Sequence, residues 1–272
     1  MIMNKIDFAI IIGVKSANPN GDPLNGNRPR QTYEGHGEMS DVSIKRKIRD
    51  RLLDAKENIL VQNDNYRNDE YRSIKDRYDA AKKQKLDKKS DSEAVYNFAC
   101  EEWLDVRSFG QVFAGVDDTH ASIAIRGPIS IQSAFSVEPI DITSLQITKT
   151  VNLTTNKKDS GQKSGDTMGM KHRVNDAIYV TYGSINKQLA EKTGFSDEDA
   201  EKIKEAMKKL FENDESSARP AGSMEVLKLI WWTHDQEVLS SAKVHRSLDV
   251  RSDGTYELDK SLNLRVEELD GI

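Results

Sequence analysis

IDFAIIIGV, residues 6–14, sets the plan of the molecule. Ile6, Phe8, Ile10, Ile12 and Val14 alternate with Asp7, Ala9, Ile11 and Gly13. A period of two marks a strand, because successive side chains point to opposite faces. Both sets are largely apolar, which predicts an inner strand covered on both sides. The stretch is far short of the ~20 apolar residues that span a bilayer. With no small-residue cleavage site after it, it reads as a strand and not as a signal peptide.

Downstream the pattern breaks. Residues 16–30, SANPNGDPLNGNRPR, hold three Pro and four Asn and predict a long structured loop. A helix follows, capped by Ser40 or Asp41. Ile44, Ile48, Leu52, Ala55 and Ile59 form its apolar stripe, while Lys45, Arg46, Lys47, Arg49 and Arg51 crowd the other faces. Residues 62–93 are polar and read as an insertion, partly helical, with Tyr71, Ile74 and Tyr78 on one side. Val95, Phe98 and Trp103 restore an apolar stripe, and 105–115 reads as a loop back to the sheet. Gly127-Pro128 opens a strand in which Ile129, Ile131, Ser133, Phe135 and Val137 share one face, with 121–126 as a hairpin partner. Residues 176–185 form another strand, Ser196 caps a second helix with Ile203, Met207, Leu210 and Phe211 buried, and 225–233 is a strong strand. Short strands around Ser252–Gly254 close the chain. With insertions set aside, this order predicts an α+β fold: an antiparallel sheet with two helices on one face, the ferredoxin-like plan. RNA-recognition modules use that plan, and so do many unrelated proteins.

Composition bounds the function. The chain has 272 residues and a net charge of −5, which as a whole argues against a nucleic-acid binder. The charge is uneven, however. Residues 1–130 carry 21 basic and 21 acidic side chains, 131–234 carry 14 and 15, and 235–272 carry 5 and 9. Four of the five excess negative charges therefore lie at the C-terminal end, and local basic faces remain possible upstream. The single cysteine, Cys100, excludes an intramolecular disulfide and a Cys-rich zinc site, and a cytoplasmic location is expected. No HxxxH pair, GxxxxGK[ST] loop or GxSxG elbow occurs, so no catalytic, metal or cofactor site is expected. Asp117-Asp118 with His120 is a weak metal candidate of common loop composition.

Six stretches in fixed order carry a specific resemblance: NPNGDPLNGNRPR (18–30), SDVSIKRKIRDRLL (40–53), DVRSFGQVFA (105–114), RGPISIQSAFSVEPI (126–140), HRVNDAIYVTYGSIN (172–186) and ARPAGSMEVLKLIWWTH (218–234). Together they resemble the Cas-seven family of CRISPR backbone proteins, most closely the type I-C Cascade version. That resemblance implies a single hand-shaped domain. Its palm, with a modified RNA-recognition fold, takes roughly residues 1–60, 105–144 and 174–272. Helical fingers take roughly 61–104, and a long thumb hairpin or loop takes roughly 145–173. It also implies head-to-tail assembly of copies along crRNA, pairing of that guide with a target DNA strand, other Cascade subunits as neighbours, no membrane and no catalysis.

The candidate RNA contacts fall into four groups. Lys45, Arg46, Lys47 and Arg49 offer cations from two sides of the first helix, which the resemblance aligns with a guide-lining one. A solvated helix face is the plainer reading of the same residues. Asn18 and Asn20 shape a loop that can present N–H groups to phosphate, with Gly21 allowing a positive φ and Arg28 and Arg30 adding charge; a rigid turn is the alternative. Gln132 and Ser133 lie near a possible RNA-facing surface. Lys157, Lys158, Lys163, Lys171 and Arg173 suit a nucleic-acid backbone, and Met168 and Met170 suit wedging between bases or packing. Asp159 and Asp166 in the same stretch leave open an RNA-guided, metal-dependent ribonuclease like the type III relatives. Trp231 and Trp232 must face opposite sides of their strand, one in the core and the other under the C-terminal segment, on a base or at a subunit contact.

Overall fold

The computed structural model describes residues 2–86, 91–114, 122–148, 168–235 and 238–272. In chain order, β1 spans Ile6–Ala17, β2 Gly21–Asp22, β3 Arg28–Pro29 and β4 His36–Met39. Helices α1 (Asp41–Asp54), α2 (Ile74–Lys85), α3 (Ser92–Glu102) and α4 (Leu104–Phe109) follow. Strands β5 (Gly110–Phe113), β6 (Ile123–Arg126), β7 (Ile129–Ile131), β8 (Ala134–Pro139), β9 (Ile142–Thr148) and β10 (Met168–Ile185) come next. The chain then runs through α5 (Lys187–Thr193), α6 (Asp197–Lys208), β11 (Met224–Thr233), α7 (Ser241–His245), β12 (Leu248–Val250), β13 (Tyr256–Leu258) and β14 (Arg265–Asp270).

The opening alternation places β1 as expected. It lies inside the large sheet, ordered β14-β11-β1-β10-β8-β4, with β7 and β9 also on β10. Every pairing is antiparallel; Ile6 stands opposite both Ile185 and Thr233. Ile6, Phe8, Ile10 and Ile12 point to the face that α1 and α6 cover. There they meet Ile44, Ile48 and Leu52 of α1, and Ile203, Met207 and Leu210. The opposite set, with Ala9, packs beneath Leu239, Val244 and Leu248. Period-two alternation thus feeds two separate cores from one strand.

Trp231 and Trp232 show the same division. Trp231 stacks on Phe8, centroids 5.7 Å apart, in the helix-side core. Trp232 lies in the core under the C-terminal segment. Each is 1% exposed, so neither is available to a base or a neighbouring subunit. Truncating either to Ala costs about 3–5 kcal/mol by analogy with other buried aromatics.

A third core belongs to the insertion. Tyr78 of α2, Val95 and Phe98 of α3, and Trp103 pack with Phe113 of β5 and Ile125 of β6. The cluster therefore runs past residue 104. The caps explain the helices. Ser40 Oγ accepts from Ser43 N at 3.3 Å, and Ser196 and Asp199 form a reciprocal capping box on α6.

Four local expectations are corrected. Residues 104–109 are helical and not loop. The run ends at Gly110, whose φ of 82° and whose missing Cβ, which would sit 2.3 Å from Ile125 O, both demand glycine. Strand β6 pairs with β5, not with the strand after Pro128. That strand itself breaks at Gln132-Ser133, so its phase shifts: Ala134 and Ser136 turn inward and Phe135 is 43% exposed. Finally β10 runs 18 residues, eight more than the 176–185 run suggests, because β9 pairs with its first half.

Candidate nucleic-acid interface

The loop after β1 is held from within. Asn20 Oδ1 accepts from Ser40 N at 2.9 Å and Ser40 Oγ at 3.0 Å, tying the loop to the start of α1. Asn18 is 3% exposed, and its Nδ2 donates to Asn27 O at 2.6 Å. The two asparagines therefore build the loop; Asn18 in particular is withdrawn from any ligand. Gly21 is needed for space and not for a positive φ, since a Cβ there would fall 2.0 Å from Asn27 Oδ1. The left-handed positions are Gly26 and Asn27.

What the loop presents is β3. Arg28 Nη1 donates to Ser144 Oγ of β9 at 3.2 Å, and Ser144 Oγ lies 2.8 Å from His172 Nδ1 of β10. Strands β9 and β10 form a two-stranded arm, paired from Val174↔Ile142 out to Met168↔Thr148. Met168, Met170 and His172 share one face, and Lys171 and Arg173 share the other. Gln146 Nε2 donates to Met168 Sδ at 2.8 Å. Met168 is 65% and Met170 54% exposed, so neither packs in a core. Leu145 and Ile147 are exposed on the opposite face of the arm.

The cations at the base of this arm are under-matched. Arg30 has one carboxylate nearby, Asp22 at 3.8 Å, and its Nε has no hydrogen-bond partner. Arg173 Nε is likewise buried without one. Arg28 donates to a hydroxyl and not to a carboxylate. Arg28 and Arg30 from the loop and Arg173 and Lys171 of β10 thus lie at the base of the arm, Arg28 against its His172 face and Arg173 and Lys171 on the opposite one. Guanidinium groups in this state suit phosphate oxygens, which accept in fork geometry.

Helix α1 is the contrary case. Lys45 pairs with Asp41 at 2.9 Å. Arg46 pairs with Asp50 and, at 2.9 Å, with Asp214. Lys47 is 1% exposed, pairs with Asp214 and sits over the Phe211 ring. Arg49 Nε donates to Asp105 at 2.8 Å and lies over Phe109. Burial pulls the Lys47 ammonium down to about 8, against the attraction of Asp214. Burial also raises the Asp50 carboxyl. For Asp214 burial acts the same way but loses to Lys47 and the neighbouring arginines, which hold that carboxyl below its usual range. The basic side chains of this helix are thus matched within the chain: Lys47 is buried, and Lys45, Arg46 and Arg49 are engaged by carboxylates. An ion-pair network of the chain itself takes up this charge.

Of the remaining candidates, Gln132 is exposed, its backbone clamped by Tyr182 O at 2.8 Å and Thr181 Oγ1 at 2.7 Å. Ser133 Oγ donates to Glu38 Oε1 at 3.0 Å. Lys157, Lys158 and Lys163, with Asp159, Asp166, Asp117, Asp118 and His120, lie outside the described residues. Among the described residues no group of three His, Cys, Asp or Glu is arranged to hold a metal ion, and no helix is long and apolar enough to cross a membrane. Sequence reading missed Ser144 and His172 as site residues. Their signal was the alternation in ITSLQIT, residues 142–148, which marks a strand able to pair with the run through His172.

The CRISPR-associated protein Cas7 family profile matches residues 4–266. The chain belongs to this family. A CRISPR-associated protein Cas7 of Haloferax volcanii is 25% identical over 239 residues, covering 81% of this chain and 68% of that protein. The fold is shared with a chain solved in a CRISPR RNA-guided surveillance complex in a pre-nicking state, at a TM-score of 0.53 and 17% identity, over 88% of this chain and 81% of the other.

Proposed function

We propose that this chain is a non-catalytic backbone subunit of a type I-C Cascade. It polymerises head to tail along crRNA in the cytoplasm and presents the guide to a target DNA strand, beside other Cascade subunits. The observation that carries this reading is the set of weakly matched arginines at the base of an exposed two-stranded arm: Arg28 donates to a hydroxyl, Arg30 has a single carboxylate at 3.8 Å, and Arg173 Nε has no hydrogen-bond partner. The strand order β11-β1-β10-β8, with α1 following β1 and α6 following β10, supports an RNA-recognition palm. The separate core around Tyr78 and Trp103 supports fingers, and the β9–β10 arm, with Met168 and Met170 on one face, supports a thumb. The type I-C reading rests on the six sequence stretches. In such a subunit the protein holds phosphates and leaves sequence readout to base pairing.

Native mass spectrometry with guides of increasing length tests assembly. The expected result is a copy number that steps up with RNA length. One copy per RNA at every length contradicts it. Incubating the assembled complex with complementary RNA and Mg²⁺ tests the absence of catalysis: regularly spaced cuts that vanish in Asp166→Ala would overturn that part alone.

A further inference from the structure

Strand register sets Ser144 of β9 directly opposite His172 of β10, near the foot of the arm. Side chains so opposed in an antiparallel pair share a face and reach each other. Ser144 Oγ lies 2.8 Å from His172 Nδ1, and Arg28 Nη1 of β3 donates to the same oxygen at 3.2 Å. Both contacts are open to solvent. His172 Nε2 has no hydrogen-bond partner among the described residues and is not sealed from water.

Chemistry fixes the hydrogens around this hydroxyl. A guanidinium only donates, so Oγ accepts from Arg28. A neutral imidazole carries one N–H. With it on Nε2, the Ser144 hydrogen goes to Nδ1, and the pair offers outward only Nε2–H. With it on Nδ1, Oγ accepts a second bond and turns its own hydrogen outward, while Nε2 shows a lone pair. The protonated ring donates from Nδ1 to Oγ and presents both Nε2–H and the Ser144 O–H. Protonation therefore adds a positive charge and a second outward donor beside a guanidinium already in place, which suits a phosphate oxygen.

The surrounding charges leave that site cationic. Strand β9 carries no charged residue. From β3 comes Arg28; Asp22, across from it in the β2–β3 pair, accepts from Leu24 N at 3.1 Å and lies 3.8 Å from Arg30. On β10, Lys171 and Arg173 occupy the other face, and Asp176 is four residues along, ~13 Å away at ~3.3 Å per residue.

We propose that His172 is a proton-dependent phosphate ligand in the guide site, and that Ser144 is the positioning residue that couples its protonation to an outward hydroxyl. This rests on the RNA reading above and adds to it a residue and a condition. A phosphate that binds the protonated pair better draws a proton onto it, so guide affinity rises as pH falls through the range where imidazoles titrate, ~5 to 8.

The test is guide affinity of the full chain by fluorescence anisotropy, at about pH 6 and about pH 8 and constant salt. The wild type is expected to bind at least about five-fold tighter at the lower pH. His172→Gln, which keeps a donor that never charges, is expected to show no such gain. Ser144→Ala is expected to lose most of it, and Ser144→Thr, which restores the hydroxyl, to recover it. His36→Gln alters a ring bonded instead to Ser136 O at 2.8 Å and is expected to keep the wild-type gain. A merely structural role for the pair would lower affinity alike at both pH values. A flat wild-type profile, or an equal gain in His172→Gln, overturns the proposal while guide binding itself stands. Absence of guide binding at both pH values is a different result, and it overturns the RNA reading together with this one. Imidazole NMR gives an independent check: the His172 ring is expected to titrate at higher pH with guide than without. A titration that guide leaves unchanged overturns the proposal.

Discussion

Helix α1 and the base of the β9–β10 arm draw on the same residue types and use them oppositely. Six basic side chains lie between Asp41 and Lys56, five of them within residues 45–51. Lys45, Arg46, Lys47 and Arg49 all meet carboxylates, supplied by Asp41, Asp50, Asp105 and Asp214. At the arm, Arg28, Arg30 and Arg173 meet hydroxyls, one distant carboxylate, or nothing. Local charge density in a sequence is therefore a poor guide to charge on offer. What decides is whether the fold brings acids from elsewhere, and Asp214 is 167 residues from Lys47.

If α1 is a structural network, breaking it costs stability. The largest effect is expected at Asp105, which is fully buried and accepts from Leu60 N at 2.8 Å, Val61 N at 3.1 Å and Arg49. Asp105→Ala orphans three donors, and a loss of about 4 kcal/mol is expected in urea unfolding. A loss below about 1 kcal/mol would mean water replaces the carboxylate. Asp214→Ala strands Lys47 and Arg219 and takes one of Arg46's two carboxylates, for an expected loss of about 3 kcal/mol by the same measurement.

A smaller effect sharpens the loop side of the contrast. Asn20→Ala removes the clamp on Ser40 and is expected to cost about 1 kcal/mol while leaving α1 folded by circular dichroism. The subtlest is a pH dependence. Lys47 titrates near 8 when folded and near 10.5 when unfolded. Between those values the unfolded chain binds more protons, so stability contributed at this site rises with pH. Relative to Lys47→Met, the wild type is expected to gain stability from pH 7 to pH 10. A constant difference would place Lys47 in water.

Much of the fold was legible because it rests on periodicity. The strand at 6–14, the Ser40 and Ser196 caps, the stripe of Ile203 and Met207, and the opposed tryptophans all follow from spacing alone. Three features were not legible, for physical reasons. The helix at 104–109 is six residues long, too short to display a period. The shift at Gln132-Ser133 is a backbone irregularity that leaves apolar residues on both phases, so Phe135 looks like core. The arm was half missed because β9 has exposed side chains on both faces beyond Thr143 and no buried stripe to read. In the site, Arg28, Arg30 and Arg173 could be nominated from charge, but their separation from Lys47 required knowing where distant carboxylates fold.

That separation is also the central claim, and one salt titration of RNA affinity tests it on two proteins side by side. Arg28→Glu with Arg173→Glu is expected to weaken guide binding at least ten-fold at about 0.1 M salt. It should also flatten the log–log salt slope by about 1.4, two contacts at ~0.7 each for a single strand. Lys47→Met is expected to stay within about two-fold of wild type at every salt concentration. The reverse pattern, with Lys47→Met abolishing the salt dependence and the arm variant indistinguishable from wild type, would contradict the account.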